Sequence, residues 1–133
     1  MRTLIVEDEM LLALELEHYV VSCGHSVIGL ASDLGEANTL IEREQPQFAF
    51  VDIHLRDGPT GIDVGRQLAF KGIPFVFVSG NIKRIPADFA GALGAIEKPY
   101  TANGLQDALS YLQAILSGEP LPKPPPSLII FGL

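Results

Sequence analysis

Glu7-Asp8, Asp52, Ser79 and Lys98 lie far apart in the sequence, yet each stands at the end of a short apolar run. Carboxylates gathered at one place repel one another and raise one another's pKa. A hard divalent cation removes that conflict. Mg²⁺ takes oxygen ligands in octahedral geometry and keeps waters that leave room for a phosphoryl oxygen. Ser79 offers a hydroxyl that can donate to such an oxygen, and Gly80 beside it permits close approach. Lys98 offers a point charge on a long stem, suited to a phosphate or a carboxylate. Each piece alone also has a plainer reading. Glu7-Asp8-Glu9 suits the first turn of a helix, Val78-Ser79-Gly80 an ordinary turn, and a lysine before a proline a solvated loop. It is the order and spacing of the set that favour chemistry.

The elements that must position these residues are legible as alternating patterns. Thr3–Val6, Ser26–Leu30, Phe48–Val51, Pro74–Val78 and Ala95–Ile96 are short apolar runs, mostly β-branched or aromatic. Strands covered on both faces of a parallel sheet look like this. Helical patterns lie between them. Residues 9–23 place Leu12, Leu16, Tyr19 and Cys23 on one stripe, with Gly24 as a stop. Residues 33–45 begin at Ser32 or Asp33 and stop before Pro46. Residues 60–71 end at Gly72, and residues 101–117 carry Leu105, Ala108, Leu109, Leu112 and Leu116 on one side. The fourth helix, over residues 81–88, is interrupted by Pro86 and is expected to be short or irregular.

Five strands alternating with five helices predict an α/β domain, a doubly wound five-stranded parallel sheet in the order 2-1-3-4-5. In that order a ligand site lies beyond the carboxyl ends of the strands, at the switch between the first and third. Glu7-Asp8 and Asp52 end those two strands. The acidic residues were not needed to place the strands, so their convergence is an independent test of the pattern.

The composition narrows the class. The 133 residues suit one domain, and the net charge of −7 disfavours a nucleic-acid partner. The single cysteine, Cys23, excludes a disulfide framework and a thiolate zinc site. No run approaches the ~18 apolar residues that span a bilayer, and Glu7-Asp8-Glu9 cuts short any leader-like start. The expectation is a soluble, cytoplasmic protein with no membrane partner. His18, His25 and His54 are not spaced as metal ligands.

Over residues 1–117 the sequence resembles response-regulator receiver domains of two-component signalling. The matching pieces are Leu-Ile-Val-Glu-Asp-Glu (4–9), Val-Asp-Ile-His-Leu-Arg-Asp-Gly (51–58), Gly61, Pro74 to Gly80, and Lys98-Pro99-Tyr100. The resemblance implies a flavodoxin-like receiver fold with Asp52 as phospho-acceptor. It implies that Glu7, Asp8, Asp52 and the backbone carbonyl of His54 organise Mg²⁺. It makes Ser79 the switch hydroxyl and Lys98 the lysine that meets the phosphoryl group. It also implies a cis bond at Lys98–Pro99, a sensor histidine kinase or phosphotransfer protein as donor, and a downstream protein target. Such a domain catalyses only its own phosphorylation and dephosphorylation.

Two departures stand out. Ala95 and Ile96 fill the stretch where the family often has a rotating aromatic residue, so signalling would pass through the fourth helix or its loops. Arg56 replaces a common proline, as added positive charge at the site or as a solvated loop residue. The alternatives to a phosphorylated switch are a receiver-fold interaction module without phosphotransfer and a metal-dependent hydrolase. The first would lack an acid, Asp52 or Lys98, and the second would want an aspartate where His54 stands. Residues 118–133 form a proline-rich extended tail with an apolar end. That end, Leu128 to Phe131, reads as a partner or homodimer segment, as a piece folded back on its own domain, or as disordered. With no output domain after residue 117, the sequence reads as a stand-alone receiver or as one cut from a longer chain.

Overall fold

A computed structural model describes residues 1–120 and 123–131. The tail's Leu121, Pro122, Gly132 and Leu133 lie outside the described residues. The order of elements is β1 (Arg2–Val6), α1 (Met10–Ser22), β2 (Ser26–Ala31), α2 (Leu34–Glu44), β3 (Phe48–Val51), α3 (Gly61–Phe70), β4 (Phe75–Ser79), β5 (Gly94–Glu97), α4 (Ala102–Ser117) and β6 (Ile129–Ile130). The sheet runs β2-β1-β3-β4-β5-β6, and the first five strands are parallel to their neighbours.

The central strands are buried along their whole length because helices cover both faces of the sheet. The two core layers interlock through alternation. Phe48 and Phe50 of β3 face the layer shared with α1 and α4, where β4 contributes Val76 and Val78. On the other face β4 contributes Phe75 and Phe77, while β3 offers the smaller Ala49 and Val51 to the layer shared with α2 and α3. Large side chains therefore meet small ones on each face, which is how a close-packed interior is filled.

Local chemistry sets the helix ends. The Asp33 carboxylate accepts from the Glu36 N–H at 2.8 Å and caps α2. Thr101 does the same for α4 through the Gly104 N–H at 2.9 Å, and α4 stops at Gly118 in a left-handed conformation (φ 70°).

Two expectations need correction. Among the described residues the sheet has six strands, not five, and β6 runs antiparallel to β5, pairing Gly94 with Ile130 and Ala95 with Ile129. A two-residue strand carries no periodicity, so its existence depends on the β5 edge that receives it. Of the five helices expected, four are α-helices among the described residues. Residues 81–91 hold only two single 3₁₀ turns, Ile82–Arg84 and Phe89–Gly91. Pro86 separates them, and Phe89, Ala90 and Gly91 follow a left-handed path with φ of 59°, 51° and 84°. A continuous helix is incompatible with that path.

Candidate functional site

The site forms where three parallel strands end together. Val6 pairs with Val51 across β1 and β3, and the Asp52 N–H donates to the Val6 carbonyl at 2.9 Å. Asp52 therefore leaves the sheet directly beside Glu7. On the other side of β3, the Lys98 N–H donates to the Ser79 carbonyl at 2.9 Å, tying the end of β5 to the end of β4. The Lys98–Pro99 bond is cis, as the resemblance implies.

The ammonium of Lys98 sits between two acids. It lies 2.5 Å from Glu7 Oε1 and 3.0 Å from Asp52 Oδ2. Carboxylate oxygens of Glu7, Asp8 and Asp52 all lie within 4.8 Å of one another. Glu7 is buried, Asp52 partly so, and Asp8 exposed. Burial pushes the Glu7 carboxyl up to about 7, and the nearby Asp52 charge adds to the rise against the opposing pull of Lys98. Burial works against the charge on Lys98, but its hydrogen bonds to Glu7 and Asp52 prevail and hold its pKa above the ordinary lysine value.

The donor set is chemically suited to a hard cation, since it is all oxygen, is clustered, and carries excess negative charge. The His54 carbonyl fits with it. Its neighbours are occupied, Ile53 by the Gly61 N–H at 2.9 Å and Leu55 by the Gly58 N–H at 3.1 Å. Among the described residues the His54 carbonyl accepts no hydrogen bond.

Ser79 is buried at the end of β4, and its oxygen accepts from the Asn81 N–H at 3.0 Å. The hydroxyl proton is left to donate elsewhere. Gly61 starts α3 against the β3–α3 turn, where a β-carbon would fall 1.9 Å from the Asp52 carbonyl oxygen. Only glycine allows α3 to approach the Asp52 peptide this closely.

Glu7, Asp8, Asp52, Ser79 and Lys98 thus lie at the carboxyl ends of neighbouring strands, at one rim of the sheet. Arg56 does not join them. Its guanidinium pairs with Asp33 at 2.5 Å and Glu36 at 3.7 Å, pinning the β3–α3 loop to the start of α2. Ala95 and Ile96 are fully buried. Tyr100 was missed as a neighbour of the site. With Leu12 it lines the cleft that holds Glu7, Asp52 and Lys98, and burial pushes its phenol up to about 12. The only signal for it was its position just after Lys98-Pro99.

Comparison with known proteins agrees with this geometry. The family described as "Response regulator receiver domain" matches residues 3–110. Phyllosphere-induced regulator PhyR of Methylorubrum extorquens is 39% identical over 83 residues, covering 61% of this chain and 31% of that protein. Transcriptional regulatory protein PdtaR of Mycobacterium tuberculosis is 32% identical over 114 residues, covering 81% of this chain and 54% of that protein. The chain therefore corresponds to about a third or a half of these relatives. Among solved structures, the Erythrobacter litoralis PhyR receiver domain superposes with a TM-score of 0.77 at 27% identity, covering 92% of this chain and 94% of that one. A CheY-like receiver domain from Methanospirillum hungatei gives 0.75 at 26% identity, with 88% and 94% coverage.

Proposed function

The chain belongs to the response regulator receiver domain family, and from that premise we propose that Asp52 accepts a phosphoryl group from a histidine kinase or phosphotransfer protein. One observation carries the reading. The Lys98 ammonium bridges Glu7 and Asp52 at 2.5 and 3.0 Å on a rim that also holds Asp8. An ion pair kept only for stability gains nothing from a third acid beside it, whereas phosphoryl transfer needs positioning and charge neutralisation at this spot.

In the proposed reaction an Asp52 carboxylate oxygen attacks the donor's phosphorus in line with the leaving nitrogen. The N–P bond breaks as the O–P bond forms. Lys98 offsets the charge on the phosphoryl oxygens. The Ser79 hydroxyl, with its proton uncommitted, donates to one of them. Glu7, Asp8, Asp52 and the His54 carbonyl would hold Mg²⁺. When bound, that ion supplies further positive charge and a fixed template for the transferring group.

The donor would seat beside α1, whose Leu11 and Leu14 are exposed. For the output, a relative from Bartonella quintana is described as an anti-anti-sigma factor. This supports a protein, rather than DNA, as the target of the switch. The acidic net charge of −7 points the same way. Among the described residues no helix is long and apolar enough to cross a membrane.

The test is phosphorylation by labelled acetyl phosphate with Mg²⁺. Wild type should take up label, and Asp52→Asn should lose it. Equal labelling of the Asn variant would overturn the assignment, and no labelling of wild type by either acetyl phosphate or a histidine kinase would return the chain to the interaction-module reading.

A further inference from the structure

Beyond α4 the chain returns to the sheet, and several contacts hold it there. β6 pairs with the Gly94–Ala95 half of β5. The Ser127 hydroxyl donates to the Gly104 carbonyl at 2.6 Å. Leu128 is buried in the layer beneath α1 and α4. The Phe131 N–H donates to the Leu93 carbonyl at 2.9 Å. Two glycines make room for the segment. A β-carbon at Gly94 would fall 2.2 Å from the Ile129 carbonyl oxygen, and one at Gly104 would fall 3.1 Å from Ser127 Cβ.

The ring of Phe131 stacks on Phe89, with centroids 4.3 Å apart and planes 10° from parallel. Phe89 opens the left-handed stretch Phe89-Ala90-Gly91, and its first two residues adopt a conformation that side chains disfavour. The bend persists because it is held from several sides. The Asp88 carboxylate accepts from the Ala90 N–H at 3.1 Å and pairs with Arg66 at 2.8 Å, and Phe131 covers the ring of Phe89.

The same segment begins at the site. The Ser79 oxygen accepts from the Asn81 N–H, and the Asn81 carbonyl accepts from the Arg84 N–H at 3.1 Å. Ile82 and Ile85 pack on the core, and the Phe89 N–H closes onto the Pro86 carbonyl at 2.8 Å. Two short hydrogen-bonded turns, joined by the backbone at Ile85–Pro86, thus lie between the Ser79 hydroxyl and the Phe89–Phe131 stack.

We propose that residues 125–131 form a releasable strap over the β5 edge, coupled to the Asp52 site through residues 79–91. The inference rests on the receiver reading above. When the Ser79 side chain rotates about its Cα–Cβ bond to bring the hydroxyl to a phosphoryl oxygen, its oxygen moves away from the Asn81 N–H, and the start of the segment loosens. The strained bend at its far end then relaxes, and Phe131 loses its seat. Release bares the backbone edge of β5 and the pocket of Leu128. By reciprocity, a seated strap disfavours the phosphorylated state by the same factor.

The experiment is amide hydrogen exchange followed by NMR on the full chain, with and without beryllofluoride and Mg²⁺. Protection at Ile130 and Phe131 should fall about fivefold or more on addition. In Asp52→Asn it should not change. Gly94→Val, which drives a side chain into the strap, should bind beryllofluoride about fivefold or more tightly than wild type. Phe131→Ala removes only the stack and should shift in the same direction, covering the case in which the Gly94 variant misfolds. If beryllofluoride perturbs Asp52 and its neighbours while Ile130 and Phe131 stay protected, and neither variant changes the affinity, the strap is uncoupled and the receiver reading survives alone. If beryllofluoride perturbs nothing at Asp52 in wild type, both fall.

Discussion

Glu7 shows how one residue's surroundings set the behaviour of the whole site. Its carboxyl is buried beside Asp52, so the folded protein favours its protonated form up to about pH 7, against 4.5 for an ordinary glutamate. A group whose folded pKa is raised contributes stability that is fully present below pH 4.5 and is lost as pH rises through about 7. A metal ligand must be deprotonated, so Mg²⁺ competes with this proton. Without divalent cation, denaturant melts should therefore show a loss of stability between those two pH values, and Glu7→Gln should flatten it. Over the same window the apparent Mg²⁺ affinity of wild type should rise with pH, read by titration calorimetry at pH 5.5 and 8. An affinity independent of pH would show that the ion does not use Glu7. Glu7, Asp8, Asp52, Ser79 and Lys98 were all legible from sequence, because each is a polar residue ending an apolar run. Tyr100 was not, since an aromatic residue after a proline gives no sign of which way it faces.

Elements meet at the site through one close approach. α3 begins with Gly61, whose N–H bonds the Ile53 carbonyl and whose missing side chain admits the Asp52 carbonyl. Gly61→Ala puts a methyl 1.9 Å from that oxygen, so either α3 or the Asp52 peptide must move. Overpacking of this kind costs roughly 1–3 kcal/mol. Chemical denaturation should show that loss, and labelling by acetyl phosphate should fall with it because the nucleophile is displaced. A stable variant that labels normally would mean that α3 has slack at its start. The strands and four helices were readable because their periodicities are local and their stops are proline, glycine or a capping side chain. The stretch from Asn81 to Gly91 was readable only as irregular. Pro86 announces the break, but the left-handed turn at Phe89 is held by Arg66, Asp88 and Phe131 from other parts of the chain.

At the scale of the molecule, stability rests on two interlocked layers rather than on the surface. Phe77 is fully buried in one of them, whereas Phe70 is 86% exposed on α3. Phe77→Ala should cost about 3–5 kcal/mol by removing packed volume that neighbours cannot refill. Phe70→Ala should stay within roughly 0.5 kcal/mol. Urea melts of the two variants check the contrast, and a similar cost for both would contradict the layer assignment.

The sequence by itself determined the alternation of strands and helices, the strand order of the parallel sheet, and the rim at which Glu7, Asp8, Asp52, Ser79 and Lys98 meet. Those features follow from short-range patterns plus the handedness of strand crossovers. Tertiary structure alone decided that Lys98 lies between Glu7 and Asp52, that Arg56 turns away to Asp33, and that Ile129 and Ile130 extend the sheet. Each of these depends on partners distant in the chain, and a side chain or strand edge has no preference among them until the fold brings one within reach.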